Sequence, residues 1–421
     1  MQSYFFDAHM HAMNLTHPNF VSFVDSVADS MSEFITSGAL SPGYLLTPIN
    51  RSQQGLITIL NLFSLFELPV GKIFTVMEDD LKGEYKERQE SFKGKKPPNL
   101  TYPDSPYIRD GKFHFRSKVY DKFGLIPLVM DFSRQLQADE SKSYYTNEHQ
   151  VKIINYVNDT LEGIRYYKNK RKEGLLEFFP FLGINPEVHS LQFIEQLLES
   201  YVEIDKKDQN KDKIFKGIKF YPPLGTNPWP EEKKERTKVE FIYSFCIENK
   251  LGIITHCDDQ GFRGVTAKTA QQYTNPTSWI EVFKRYPKLK VDFAHYGRQY
   301  NPIGKSPLKV LLDRSFTTDP WFTQIIEFMG EYENVYADFS FSGTEIEFYQ
   351  QLHHFIENLE DKSLAQKIKE RSMFGSDFSI NLAKVESYTN YLRIFEESPF
   401  NDEEVDLFAS VNPTRFLSQE N

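Results

Sequence analysis

Cysteine is almost absent: the 421 residues hold two, Cys246 and Cys257. Two thiols cannot build a disulfide framework, so stability must come from a packed core, and a reducing compartment is the simpler expectation. Long apolar runs are missing as well. The richest stretch, GLITILNLFSLFELPVG (55–71), is broken by Asn61, Ser64 and Glu67 and reads as a buried or interface helix rather than a membrane span. No leader-like segment opens the chain, whose first apolar run starts near Tyr4, so cytoplasm is the expected location. Positive charge is in deficit, with 49 Lys and Arg against 59 Asp and Glu and a formal net charge of −10. That balance argues against non-specific binding to nucleic acid or to anionic membranes.

What is present suits a large soluble enzyme: 40% hydrophobic and 26% charged residues, enough for a sizeable core. Eight short apolar segments recur, each bounded by Pro, Gly, Asp or Asn. They are SYFFDAHMH (3–11), GLIPLVMDFS (124–133), FFPFLGINP (178–186), FKGIKFYPP (215–223), LGIITHCDD (251–259), LKVDFAHYG (289–297), NVYADFSFSG (334–343) and SMFGSDFSI (372–380). Apolar on both faces, they read as buried parallel strands. Helical patterns alternate with the later ones, at 238–250, 276–288, 321–333 and 345–371.

Lys219, His256 and His295 fall 37 and 39 residues apart, and Asp377 follows 82 later, two further units of 41. A period near 40 is a βα unit with its loops, and eight such units close a (β/α)₈ barrel, an α/β TIM barrel with its chemistry at the C-terminal strand ends. Such a barrel needs about 250 residues. Most of the surplus falls at 12–123, a large insertion after strand 1 expected to cap the mouth within a single domain. The run DKKDQNKDK (205–213) reads as a solvated loop.

The first strand raises the chemical question. Its DAHMH places Asp7, His9 and His11 at alternate positions, which an unbroken strand projects to one face. Two converging imidazoles are a metal-ligand arrangement, and imidazole with carboxylate suits zinc, manganese or iron. Asp7 reads either as a partner of a ligand or as a hydrogen-bonded residue of the barrel interior. A closed barrel brings one polar residue from each of strands 4, 5, 6 and 8 to the same axis: Lys219, His256, His295 and Asp377. Asp258 returns to the face of His256, whereas Cys257 points away and packs. Tyr221, two residues beyond Lys219, and Arg298, just past strand 6, are candidates for contacting substrate, Arg298 through a carboxylate or as a surface ion pair. His17 and His114 lie off the strand ends, with an approach from the cap as their route to the pocket. His353 and His354 read as exposed.

With DAHMH, GIKFYPP, IITHCDD, DFAHYG, FGSDFS and the closing NPTRFL (412–417), the sequence resembles the amidohydrolase superfamily, in its amidohydrolase-related branch of metal-dependent hydrolases and decarboxylases. The resemblance spans nearly the whole barrel but not 12–123. It implies that His9, His11, His256 and Asp377 hold a first divalent metal, most simply zinc, with Asp377 also the general base. His295 then either binds a second metal or polarises the substrate carbonyl. Lys219 is either carboxylated to bridge two metals or a cation lining the pocket. Two activities follow: hydrolysis of an amide, lactone or ester by activated water, or non-oxidative decarboxylation of an aromatic or unsaturated acid. A barrel without activity, serving as a binding protein, is the reading from another class. The expected partner is a small-molecule substrate, and a homodimer is compatible with apolar cap helices.

Overall fold

The computed structural model describes residues 2–17, 62, 64–84, 105–133, 152–204, 210–300 and 316–418. Eight parallel strand positions follow one another along the chain. They are β1 (Tyr4–Met10), β2 (Lys122–Pro127), β3 (Leu176–Phe178, resumed at Phe181–Gly183), β4 (Gly217–Phe220), β5 (Gly252–Thr255), β6 (Lys290–Phe293), β7 (Val335–Asp338) and β8 (Ser372–Met373). Each falls inside one of the eight apolar segments, or just before it for the starts of β2 and β3.

The ladder forms two arcs, β1–β2–β3 and β3 through β8. Pro180 interrupts β3: the part before it pairs with β2 and the part after it with β4. Val129 N donates to Phe181 O at 3.1 Å across this break. At the other junction Ala8 N donates to Phe374 O at 2.8 Å and Asp377 N to His9 O at 2.7 Å, with a parallel bridge between Met10 and Phe378. The arcs therefore meet at both ends, and the protein is an α/β TIM barrel.

The barrel interior is filled by Ala8, Ile126, Leu128, Phe181, Ile254, Tyr336 and Met373, closed by Phe416 of the terminal helix Asn412–Leu417. A Cβ on Gly252 of β5 would lie 2.5 Å from the Phe416 ring, so that strand can carry only glycine where the plug enters. Helices wrap the outside. Asp319 caps Pro320–Glu331 through Trp321 N, with Pro320 in the first turn where its missing N–H costs nothing. The pattern at 345–371 resolves into two helices, Ile346–Asn358 and Lys362–Lys369, the second capped by Asp361.

Between β1 and β2 the chain inserts more than a hundred residues. Their described part holds the helix Val70–Leu81, packed on Ile153–Lys170, and an antiparallel meander of Ile108–Arg109, Lys112–Phe115 and Lys118–Tyr120. Phe113 and Phe115 of the meander pack on Phe5 of β1, and Arg116 donates to the carbonyls of Glu396, Ser398 and Phe400. Residues 18–61, 63 and 85–104 of the insertion lie outside the described residues. No helix among the described residues is long and apolar enough to cross a membrane.

Candidate metal centre

The first strand does not stay in phase. Asp7 pairs with Leu125, but Met10 pairs with Pro127, so Ala8 and His9 together oppose one residue of β2. Such a bulge re-aims the side chains that follow it. Ala8 fills the interior and His9 enters the site, whereas Asp7 faces Ser376 and Tyr388. The single face expected for Asp7, His9 and His11 is therefore split. Asp7 accepts from Ser376 N at 2.8 Å, Ser376 Oγ at 2.5 Å, Tyr388 OH at 2.9 Å and His9 N at 3.2 Å. It pins the loop that carries Asp377. Burial raises its carboxyl to about 7 against those hydrogen bonds.

His9, His11 and Asp377 form one group able to hold a metal ion. The two Nε2 atoms are 3.3 Å apart, and Asp377 Oδ1 lies 3.6 Å from His9 Nε2 and 3.4 Å from His11 Nε2. The other nitrogens fix the tautomers. His9 Nδ1 donates to Asp338 Oδ2 at 2.7 Å and His11 Nδ1 to Leu128 O at 3.0 Å. Since those partners only accept, both Nε2 atoms present lone pairs. Burial holds both rings neutral, His9 down to about 3 and His11 well below the usual range.

His256, Asp258 and His295 form a second such group. His295 Nε2 lies 3.2 Å from His256 Nδ1 and 3.8 Å from Asp258 Oδ2. His295 Nδ1 donates to Ser340 O at 2.9 Å, so its Nε2 also presents a lone pair, and burial lowers its pKa to about 4. His256 was expected beside His9, His11 and Asp377. Its Nε2 is turned instead to Asp258 Oδ1 at 3.0 Å and Gln260 O at 3.2 Å, and its Nδ1 faces His295. Burial works against ionisation of Asp258, but His256 and His295 hold it below the usual carboxylate range. The two groups adjoin, with the His9 and His295 rings 5.0 Å apart.

One buried unit organises both. Asp338, at the end of β7, takes His9 Nδ1 on one oxygen. Its other oxygen accepts His295 N at 3.1 Å, Ser340 N at 3.0 Å and the Ser340 hydroxyl. Despite burial these contacts keep Asp338 ionised far below the usual range. His295 and Asp377 both adopt left-handed backbone, φ 61° and 60°, which costs about 1–3 kcal/mol each and turns their side chains off the strand direction.

Lys219 is 1% exposed, and its Nζ has no hydrogen-bond partner among the described residues. Burial draws it down to about 8 against the pull of Asp338, Asp377, Asp292 and Asp258. Its Nζ is 5.8 Å from the Tyr221 ring, which lies 4.5 Å from the His256 ring, and the Tyr221 hydroxyl accepts from Phe262 N. Arg298 donates to Glu345 at 2.8 Å and lies 4.8 Å from the Tyr300 ring. Cys257 is buried and donates to Thr274 O. His17 pairs with Asp159 and stacks on Tyr156, and His114 belongs to the meander; among the described residues neither is in a metal-capable group.

Three participants carried no sequence signal of their own. Asp292 of β6 is fully buried, and burial and the neighbouring Asp338 carboxylate raise its pKa well above the usual range. Ser340 lies in a loop, and Lys384 lies beyond the last strand. The xDxS spacing of Asp338 and Ser340 was the one pattern that a search for histidine partners could have used.

A family model described as amidohydrolase matches residues 202–419, just over half of the chain. The chain belongs to that family. In this amidohydrolase the matched part carries Lys219, His256, His295 and Asp377, while His9 and His11 come from before it. No curated protein matches the sequence. Solved structures similar to the amidohydrolase include 5-carboxyvanillate decarboxylase of Novosphingobium aromaticivorans, complexed with manganese. It is 10% identical, covers 71% of this chain and 76% of that one, and has a TM-score of 0.39. A probable 2-pyrone-4,6-dicarboxylic acid hydrolase of Acinetobacter baumannii is 12% identical over 69% and 97% of the two chains, TM-score 0.41. An amidohydrolase of Burkholderia multivorans with bound zinc is 13% identical over 62% and 79%, TM-score 0.36. Superpositions this loose say nothing about reaction or substrate.

Proposed function

We propose that the protein is a metal-dependent hydrolase in which water attacks the carbonyl carbon of an amide, lactone or ester. The observation that carries this is the pair of Nε2 lone pairs on His9 and His11, 3.3 Å apart with Asp377 Oδ1 beside them. Neutral lone pairs repel at that distance, and a cation between them turns the repulsion into coordination. Zinc fits the donor set best, and manganese or iron also suit it. A divalent metal held there supplies Lewis acidity and lowers the pKa of a water towards ~7.

The chain's own groups do the rest. Asp377 turns one carboxylate oxygen to the histidines and takes the proton of the attacking water on the other, later passing it to the leaving group. Asp338 and Leu128 O hold the two imidazoles in the ligating tautomer. His295 cannot donate to a carbonyl oxygen while its Nδ1–H is committed to Ser340 O, which favours a ligand role for it, with His256 and Asp258, over polarising the substrate. Lys219, unpartnered among the described residues, is the group to meet substrate charge or to accept CO₂.

That same unpartnered amine favours a second reading, decarboxylation, in which Lys219 grips the carboxylate that is lost. The test is metal content per chain by elemental analysis. It is joined to a screen of lactones, amides and aromatic acids, each with the Asp377→Asn variant. Turnover of a lactone or amide that falls at least a thousandfold in the variant supports hydrolysis. CO₂ release from an aromatic acid supports the second reading. Protein that takes up no metal on soaking refutes both and leaves a binding protein.

A further inference from the structure

One buried carboxyl beneath the metal-capable groups has no part in that chemistry. Asp292 of β6 pairs in register with Ile254 of β5 on one side and Tyr336 of β7 on the other, and Lys219 of β4 pairs with the same Ile254. Ile254 and Tyr336 fill the barrel interior, so Asp292 and Lys219 enter it in the same layer. Asp338 comes two residues after Tyr336 on β7, on the same face. Its side chain is in hydrogen-bonding contact with that of Asp292, and both residues are fully buried. Two carboxyl groups that touch in a dry interior cannot both be ionised. The donors around each decide which keeps the proton. Asp338 takes His9 Nδ1, His295 N, Ser340 N and the Ser340 hydroxyl. Asp292 receives none of these, and Lys219, the cation of its layer, makes no hydrogen bond to it.

We infer that Asp292 carries a proton and donates it to Asp338, and so acts as a positioning residue for His9. Its value to the site rests on the reading of His9, His11 and Asp377 as a metal centre. The bond from a carboxyl to a carboxylate is charge-assisted. It holds Asp338 from within the barrel, while His295 and Ser340 hold it from the loops after β6 and β7, and together they keep Oδ2 aimed at His9 Nδ1. Burial and the Asp338 charge push the Asp292 carboxyl up, and Lys219 pulls it the other way without contact.

The test pairs infrared spectroscopy with zinc binding on the full chain. At roughly pH 8.5 the metal-free wild type should show the C=O stretch of a protonated carboxyl, shifted in deuterium oxide and lost in Asp292→Asn. A band unchanged in that variant overturns the inference. Asparagine keeps a neutral N–H donor towards Asp338, so Asp292→Asn should bind zinc within about threefold of wild type, whereas Asp292→Leu, which donates nothing, should bind about tenfold more weakly. Asp292→Ala serves if the Leu variant does not fold. Equal losses in Asn and Leu would show that the site needs a negative charge at this position, and wild-type affinity in Leu would show that it needs nothing there; either result overturns the positioning role. A chain that takes up no zinc refutes the metal reading instead. The nitrogen NMR signal of the His9 Nδ1–H, which requires no metal, then decides the role: it should persist in Asn and weaken in Leu, and its persistence in both overturns the inference.

Discussion

Replacing Asp338 by asparagine should cost metal affinity more than it costs the fold. The wild-type carboxylate accepts on both sides: His9 Nδ1 on Oδ2, and His295 N, Ser340 N and the Ser340 hydroxyl around Oδ1. Asparagine has one acceptor oxygen of the same size. Two backbone N–H groups fix that oxygen on the His295 and Ser340 side, so the new amide N–H faces His9 Nδ1. His9 must then give up its Nδ1 proton and carry it on Nε2, the tautomer that cannot ligate. Loss of such a partner lowers metal affinity by about 10–100-fold, or roughly 1.4–2.8 kcal/mol. The assay is zinc competition against a chromophoric chelator, with circular dichroism to confirm folding. Ser340→Ala leaves the Asp338–His9 bond in place and should lose less. A folded Asp338→Asn protein within threefold of wild-type affinity would refute the assignment of Asp338 as the group that sets the His9 tautomer.

Three further outcomes follow. Gly375→Ala puts a Cβ 2.8 Å from His9 Cβ and should cost about 1–3 kcal/mol of stability and displace His9, seen as a lower melting temperature and reduced zinc content together. Asp80 is buried, and burial raises its carboxyl from 3.8 to about 6. The unfolded chain ionises first, so stability falls as pH rises through 3.8 to 6, by up to about 3 kcal/mol. In urea unfolding the Asp80→Asn protein should accordingly gain on wild type between pH 4 and 7, and a pH-independent difference would refute the shift. Chelator treatment should lower the melting temperature of zinc-loaded protein. Zinc at about a hundred times its Kd stabilises by roughly 2.7 kcal/mol, and an unchanged melting curve would count against a bound metal.

Much of the architecture was legible because barrel strands are apolar on both faces and the polar residues mark their C-terminal ends. His9, His11, Lys219, His256, His295 and Asp377 all lie at those ends, and Asp258 does join His256. What alternation could not reveal was the bulge at Ala8 and His9, because a one-residue slip leaves no trace in composition; it is why Asp7 turned away from the site. The rotation of His256 towards Gln260 O was equally hidden, since it depends on a loop carbonyl. Asp292 read as one more strand residue, and Lys384 lies in a loop with no periodicity to place it. Arg298 was legible as a candidate, but its pairing with Glu345 links two loops that the sequence does not connect.

The seam between β1 and β8 joins residues 369 apart, Asp7 to Ser376, and the His9–His11–Asp377 group lies astride it. During synthesis the first strand leaves the ribosome without the neighbour that completes its ladder, since 369 positions separate Asp7 from Ser376. Contacts of such high sequence separation form late and slowly. The nascent chain therefore carries His9 and His11 without Asp377, the carboxylate of their group, until β8 has been made. Once closed, a metal at this place acts as a clasp, since opening the seam means releasing the ion. The first strand should be the segment whose hydrogen exchange slows most on loading.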